Sequence, residues 1–206
     1  MPPRDDQEFE QRRQQIIDGA LEVFAEKGYE RATNKDIADS AGIRSPGLIY
    51  HYFQDKFDLL HQVILERMLL IRFIDSAEIL ATSDDPPEHV LPDLVAGMFA
   101  AVNQRPTITI MKVVMAEALR NHRIAHMVSE LGPGRALRLI AKYLERQMDL
   151  GRLRRTDPHI AARILIGPFA AYLMTREIFD QPEARAIQES EMARESITIF
   201  LRGMAP

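Results

Sequence analysis

Nearly every stretch of this chain repeats its apolar residues every three to four positions, and none alternates them every two. Ile17, Ala20, Leu21 and Phe24 fall at i, i+3, i+4 and i+7, the spacing that lines up side chains on one face of a helix. The pattern predicts an amphipathic helix from about Phe9 to Lys27, ended by Gly28. Thr33 then heads Thr-Asn-Lys-Asp, a capping box with Asp36 in the place of glutamate, so a short helix starts at Asn34 and stops near Ala41-Gly42. Ser45 before Pro46 reads as an N-cap with proline at the first helical position, opening a second short helix through Phe53. Asp55 caps a much longer helix with Phe57, Leu60, Ile64, Met68 and Ile71 on one side. Breakers at Asp84-Asp85-Pro86-Pro87, Arg105-Pro106, Gly132-Pro133-Gly134, Gly151 through Pro158 and Asp180-Gln181-Pro182 separate the later helical stretches. With no strand signal, internal repeat or low-complexity segment, the expected fold class is all-α. It comprises a head of three short helices on a larger helical body, about nine helices together. The 206 residues leave room for an ordinary domain and a small one, with the boundary expected between a head of residues 1–54 and a body of residues 55–206.

Composition narrows the classes further. Hydrophobic residues make up 46% and charged residues 27%, a balance that supports a packed core. There is no cysteine, which excludes disulfides and thiol chemistry and suits a reducing compartment. The charged, polar start from Met1 to Gln15 has none of the character of a secretory signal. The longest uncharged apolar stretch, Ile164 to Thr175, is too short to span a bilayer and contains Gly167-Pro168. A cytoplasmic protein with no membrane partner is therefore expected.

Catalytic and metal signatures are missing from the sequence. Paired Glu-x-x-His motifs of di-iron bundles, a nucleophile elbow, a P-loop and a dinucleotide fingerprint are all absent. His122 and His126 are four apart and can share a helix face, but no third ligand stands at a diagnostic spacing and the surroundings are rich in arginine. Asp58-x-x-His61 is weaker still, because Asp58 belongs to a first helical turn as a charge on the helix dipole. No enzyme, no cofactor and no metal are expected.

Two short helices, Asn34–Ala41 and Pro46–Tyr52, joined by Gly42-Ile43-Arg44-Ser45, have the size and glycine turn of a helix-turn-helix. Ile37, Ala38, Ile43, Ile49 and Phe53 form its small core on this reading, which leaves the opposite face free for a DNA groove. Charge argues against this: the chain carries −4. Within residues 1–56, Arg4, Arg12, Arg13, Lys27, Arg31, Lys35, Arg44 and Lys56 are outnumbered by eleven Asp or Glu. A helical adaptor without DNA binding is thus the competing class, and any DNA binding must arise from local geometry.

The ordered set Ile17…Ala20-Leu21…Phe24…Gly28-Tyr29, Ala32-Thr33…Asp36-Ile37-Ala38…Ala41-Gly42-Ile43 and Ile49-Tyr50-His51-Tyr52-Phe53…Asp55-Lys56…Leu59-Leu60 resembles the TetR family of transcriptional regulators. The resemblance covers roughly the first sixty residues. Two positions depart from the pattern: Asn34 replaces an apolar residue, and the segment between Gly42 and Tyr50 is one residue longer than usual. The resemblance implies a repressor that binds double-stranded, near-palindromic operator DNA as a homodimer and is released by a small-molecule effector. It implies DNA contacts from Thr33 and Lys35, from Arg44 and Ser45, from Pro46, Gly47 and Leu48 through close approach, and from Tyr50, His51 and Tyr52. Lys56, in the first turn of the long helix, is expected to add a cation for a phosphate.

In the body, Ala161–Phe179 is apolar on most sides, with Ile164, Ile166, Phe169, Ala170, Tyr172 and Leu173. Glu183–Arg202 leads into a stripe of Ala186, Ser190, Ala193, Ile197, Phe200 and Met204. Two such helix pairs about a twofold axis give a four-helix dimer interface. Pro168, inside the first of these helices, removes a backbone hydrogen bond and invites a kink that widens a cavity. Flexible and aromatic side chains at Met98, Phe99, Met111, Met115, Phe169 and Tyr172 outline a pocket for an apolar or amphipathic effector. His122, His126, Tyr143, Tyr172 and Glu117 are its candidate polar anchors.

Overall fold

A computed structural model describes residues 4–206, with side chains from Asp6 onward; the first three residues of the charged start lie outside the described residues. The described chain is α-helical with no strand, as its periodicity predicts. Its contacts divide it into two compact units. The first holds the described residues up to Met68 together with Arg105–Val128, and the second holds Leu69–Gln104 and Ser129–Pro206.

The first unit is built on α1 (Arg4–Lys27), α2 (Asn34–Ser40), a 3-10 turn (Pro46–Leu48), α3 (Ile49–Tyr52) and α4 (Lys56–Arg67), with α7 (Arg105–Ala118) and α8 (His122–Leu131) as its later helices. Helix α2 starts as the sequence requires. Thr33 Oγ1 accepts from the Asp36 backbone N–H at 3.1 Å, and Asp36 accepts from the Thr33 N–H at 3.1 Å. It stops at Gly42, whose φ of +64° suits a residue without a Cβ. There the N–H groups of Gly42 and Ile43 bond back to the carbonyls of Asp39 and Ala38 at 3.3 and 3.0 Å. Ser45 occupies the N-cap position before Pro46, but its side chain makes no cap bond. The expected small core is present: Ile37, Ala38, Ile43, Ile49 and Phe53 are all buried. Ile16, Ile17, Ala20 and Phe24 of α1 and Leu59, Leu60, Val63 and Ile64 of α4 complete it. Burial of this set is the dominant favourable term holding three very short helices in place.

Polar ties add register. Arg13 reaches Glu66 at 2.5 Å and Gln62 at 2.9 Å, and Arg67 reaches Asp18 at 2.7 Å, so α1 and α4 are linked along their length.

The second unit contains α5 (Leu69–Ser76), a 3-10 stretch (Ala77–Thr82), α6 (Pro87–Val102), α9 (Pro133–Asp149), α10 (Pro158–Leu173), a π-turn (Met174–Ile178), α11 (Pro182–Ala186) and α12 (Glu189–Gly203). Asp157 caps α10 by accepting from the N–H groups of His159 and Ile160. Arg176 of the π-turn donates to Glu177 at 2.7 Å and to Asn103 Oδ1 at 2.6 Å, and also pairs with Glu189, tying α6, the π-turn and α12 together.

Three expectations need correction. The helix opened by Asp55 does not run to Ile71: Met68 turns extended, with φ −92° and ψ 95°, and α5 begins afresh at Leu69. The Ala161–Phe179 helix leaves α geometry at Met174, where the Phe179 N–H bonds the Met174 carbonyl one residue beyond the α spacing; α10 itself continues through Gly167-Pro168. The Glu183–Arg202 helix is cut at Ile187, which is extended at ψ 129°. Of its expected stripe, Ile197, Phe200 and Met204 are buried within their own unit, whereas Ala186 and Ser190 are exposed and Ala193 is half-buried. The outward apolar side chain of α12 is Ile199 instead, at 69% exposure. The long runs therefore yield more helical segments than the nine expected.

Candidate nucleic-acid interface

The exposed face of α2, the 3-10 turn and α3 gathers most of the residues singled out in the sequence. Lys35, Arg44, Ser45, Pro46, Gly47, Tyr50 and His51 are exposed, and Leu48 and Tyr52 are half-buried. Tyr50 is the most outward aromatic of this face, at 63% exposure. Ile49 and Phe53 point the other way, into the core. The recognition element thus has an apolar root and a polar face within four residues.

Thr33 lies at the edge of this face, and its environment is more elaborate than its capping role alone. Asp36 accepts from Lys27 Nζ at 2.7 Å and from Thr33 Oγ1 at 2.8 Å. The Lys27 ammonium and the two Thr33 donors hold the Asp36 carboxyl at about 2, down from an ordinary 3.8. A carboxyl depressed on folding stabilises the fold fully above pH 3.8 and loses that contribution as pH falls toward 2. The melting-temperature advantage of the wild type over Asp36→Asn should therefore be full at pH 5 and disappear between pH 3.8 and 2. An advantage independent of pH across that range would remove the charged cap from the account.

Lys56 departs from its expected role. Its ammonium donates to the carbonyls of Tyr29, Glu30 and Ala32 at 2.8, 3.1 and 3.2 Å and lies 4.6 Å from the Tyr29 ring centroid. All three of its donors are committed to the loop before Thr33, so it positions that loop against the start of α4. Burial, with the Asp55 carboxylate nearby, pushes the Tyr29 phenol up to about 12. Asp55 caps α4 through the Asp58 N–H at 2.7 Å, and Asp58 accepts from the Gln54 N–H at 3.0 Å.

This pairing leaves few free cations in the head. Lys27, Arg13 and Arg67 are matched by Asp36, Glu66 and Asp18, and Lys56 by carbonyls. Among the described residues, Lys35 and Arg44 are the exposed cations of the α2–α3 face that no such partner engages. Bulk charge is negative, and these two cations share the motif with the exposed carboxylate of Asp39.

Phe9 is the residue that sequence reading missed. Its ring packs 4.6 Å from Tyr52 and 6.1 Å from His51, and it is 42% exposed. Its spacing of seven from Ile16 extends the apolar face of α1 and was the available signal.

The expected effector residues are divided. Phe99, Phe169 and Tyr172 meet in the second unit, with Phe99 edge-on to both other rings at 5.9 Å, and Met98 is half-buried beside Phe99 on α6. Met111 and Met115 are half-buried on α7 of the first unit. Among the polar anchors, the Tyr143 hydroxyl donates to Asp85 O at 2.8 Å and the Tyr172 hydroxyl to Ile187 O at 2.9 Å. His122 and His126 are exposed on α8. Glu117 is buried, with Oε2 lacking a hydrogen-bond partner among the described residues. A cleft of about 490 Å³ beside Tyr172 and Arg176 is polar, and a second of about 460 Å³ lies between Phe57, His61, Arg123 and His126. No described helix is long and apolar enough to cross a membrane.

Residues 16–63 match the profile of bacterial regulatory proteins of the tetR family, and residues 89–205 match that of the AefR-like transcriptional repressor C-terminal domain. The HTH-type transcriptional regulator UidR of Escherichia coli (strain K12) is 32% identical over 118 residues, 56% of each chain, so this chain spans little more than half the length of that relative. Among solved structures, a TetR-family transcriptional regulator from Mesorhizobium loti MAFF303099 is similar with a TM-score of 0.75 at 23% identity, covering 100% of both chains. SmeT in complex with triclosan, the repressor of the Stenotrophomonas maltophilia multidrug efflux pump SmeDEF, has a TM-score of 0.76 at 25% identity over 95% of this chain and 92% of that one. These relatives are transcriptional regulators. With its motif and its C-terminal half both matched, the chain belongs to the TetR family of bacterial transcriptional regulators and carries an AefR-like C-terminal domain.

Proposed function

We propose that this regulator is a repressor that binds a near-palindromic operator as a homodimer and is released by a small apolar or amphipathic effector. In this reading residues 1–54 bind DNA and residues 55–206 bind the effector and the partner copy, in the cytoplasm. The observation that carries it is the outward set of Lys35, Arg44, Tyr50 and His51 on a motif whose other face is core. Arg44 and His51 carry donors for base edges or phosphates, the Tyr50 hydroxyl can reach either, and Pro46 and Gly47 let the backbone approach closely. Thr33, Ser45, Leu48 and Tyr52 border the same surface. Lys56 serves it indirectly, by holding the loop that carries Thr33.

Three exposed isoleucines on two packed helices support the dimer. Ile160 and Ile164, one turn apart on α10, are 54% and 58% exposed, and Ile199 of the adjacent α12 is 69% exposed. Exposed apolar surface of this kind marks an interface. For the effector, the support is the aromatic and methionine content around Phe99, Phe169, Tyr172 and Met98, with Met111 and Met115 elsewhere, and the triclosan held by the related SmeT. Effector binding lowers operator affinity in this scheme, and operator binding lowers effector affinity by the same factor.

The test is selection of DNA by the full chain, followed by anisotropy titrations of the selected duplex and of a random duplex at several salt concentrations. Lys35 and Arg44 on two heads neutralise four phosphates, which gives a log–log salt slope of about −3.6. A slope near zero, or equal affinity for the two duplexes, would remove the operator from the proposal.

A further inference from the structure

The surface that reads DNA in the proposed function is confined, by its motif, to α2 and α3. Yet α3 is only four residues long, Ile49 to Tyr52. A single turn, preceded only by the three-residue 3-10 turn Pro46–Leu48, gives its exposed side chains few neighbours of their own to hold them. Something outside the motif must set their direction.

Helix α1 does so at two successive turns. Arg13 places its guanidinium 5.7 Å from the centroid of Phe53, below α3. One turn earlier, Phe9 packs its ring at 4.6 Å and 37° to Tyr52. Tyr52 in turn stands edge-on to His51, at 5.4 Å and 89°, and Phe9 meets His51 at 6.1 Å and 70°. Three rings therefore lie near one another pairwise, His51 edge-on to both others as aromatic quadrupoles favour and Phe9 tilted against Tyr52. The polar groups of His51 and Tyr52 make no hydrogen bond among the described residues, so the rings alone set where they point. Phe9 also lies before residue 16, where the match to the tetR profile begins.

The geometry points to Phe9 as a positioning residue for operator recognition, one that fixes the rotamers of His51 and Tyr52 and thereby makes the reading surface a composite of α1 and α3. This rests on the operator-binding reading above. It assigns Phe9 no contact with DNA. Its effect is on discrimination: with Phe9 removed, His51 and Tyr52 sample several rotamers, and the correct DNA loses the benefit of preorganisation more than random DNA does.

The experiment measures the affinity ratio of a duplex selected by the wild-type protein over a random duplex, for wild type, Phe9→Ala and Phe9→Tyr. Phe9→Ala is expected to lower the ratio by about threefold per head, or about tenfold for two heads, the size of lost aromatic pairing. Phe9→Tyr restores it. The Tyr52 ring resonances of the free protein should shift in Phe9→Ala, while the melting temperature stays close to wild type because Phe9 is already 42% exposed. An unchanged ratio in Phe9→Ala overturns the assignment and leaves operator binding standing. Equal losses for both duplexes, without recovery in Phe9→Tyr, overturn it as general damage to the head. A wild type without preference between the duplexes removes the operator-binding reading, and this assignment with it.

Discussion

If the proposed dimer forms through α10 and α12, replacing Ile164 and Ile199 together with aspartate is expected to leave a 23.5 kDa monomer and to abolish measurable operator binding. Both side chains are more than half exposed on helices that pack beside each other in the second unit. Each is already partly covered, so completing its burial against a partner is worth about 1 kcal/mol. Two positions on two subunits make about 4 kcal/mol, and burying an aspartate carboxylate at such a contact costs more. A shift of that size moves the dissociation constant of the dimer by about a thousandfold.

The loss of DNA binding follows from geometry and not from damage to the head. With Lys35 and Arg44 as the exposed cations of each reading face, one head alone has few phosphate contacts. Sedimentation equilibrium and anisotropy on the same samples check both halves. The double variant should melt near the temperature of a dilute, dissociated wild type, since neither isoleucine belongs to the core of its own unit. A double variant that sediments as a dimer would place the partner contact elsewhere.

The apolar faces of α10 and α12 were only half legible in the sequence. Periodicity located the apolar residues of α12 correctly, at Ile197, Phe200 and Met204, but an amphipathic stripe does not say whether its own core or a partner covers it. Here Ile197, Phe200 and Met204 are buried inside the unit while Ala186 and Ser190 are exposed, and Ile199, an apolar residue off the stripe, points outward. The two helix breaks were hidden for a related reason. Neither Met68 nor Ile187 is a glycine or proline, and the apolar period runs through Met68 undisturbed.

The head read more faithfully because its signals are local. A capping box spans four residues, and a glycine stop bonds to carbonyls three and five residues back. Lys56 shows the limit of that advantage. Its position in the first turn was correctly read, but its partners lie 24 to 27 residues earlier in the chain, beyond any spacing rule. Phe9 fell at the margin of its predicted helix, which in fact begins at Arg4.

Gly19 carries the other large effect, and no turn or cap announced it. It lies in the middle of α1, where glycine costs about 1 kcal/mol relative to alanine. A Cβ built there would stand 2.7 Å from the backbone nitrogen of Ala41 and 3.0 Å from its Cα and Cβ. Ala41 is the C-cap of α2, immediately before the Gly42 turn. The obstacle is therefore backbone, and backbone held by the hydrogen bonds of Gly42 and Ile43, so it cannot swing aside as a flexible side chain would. Gly19→Leu is expected to force α1 and α2 apart and to destabilise the fold by about 3 kcal/mol, the upper part of the range for overpacking. That corresponds to a fall in melting temperature of about 6–12 °C for a chain of this size. Gly19→Ala should lose less, because the gain in helix propensity offsets part of the clash. Gly203→Ala, with nothing within 4 Å of its Cβ, is the control and should melt at or slightly above wild type. Because α2 carries Lys35 and leads into the turn before α3, operator affinity should fall with Gly19→Leu even below its melting temperature. Wild-type melting in Gly19→Leu would mean that α1 and α2 are further apart than the contact with Ala41 requires.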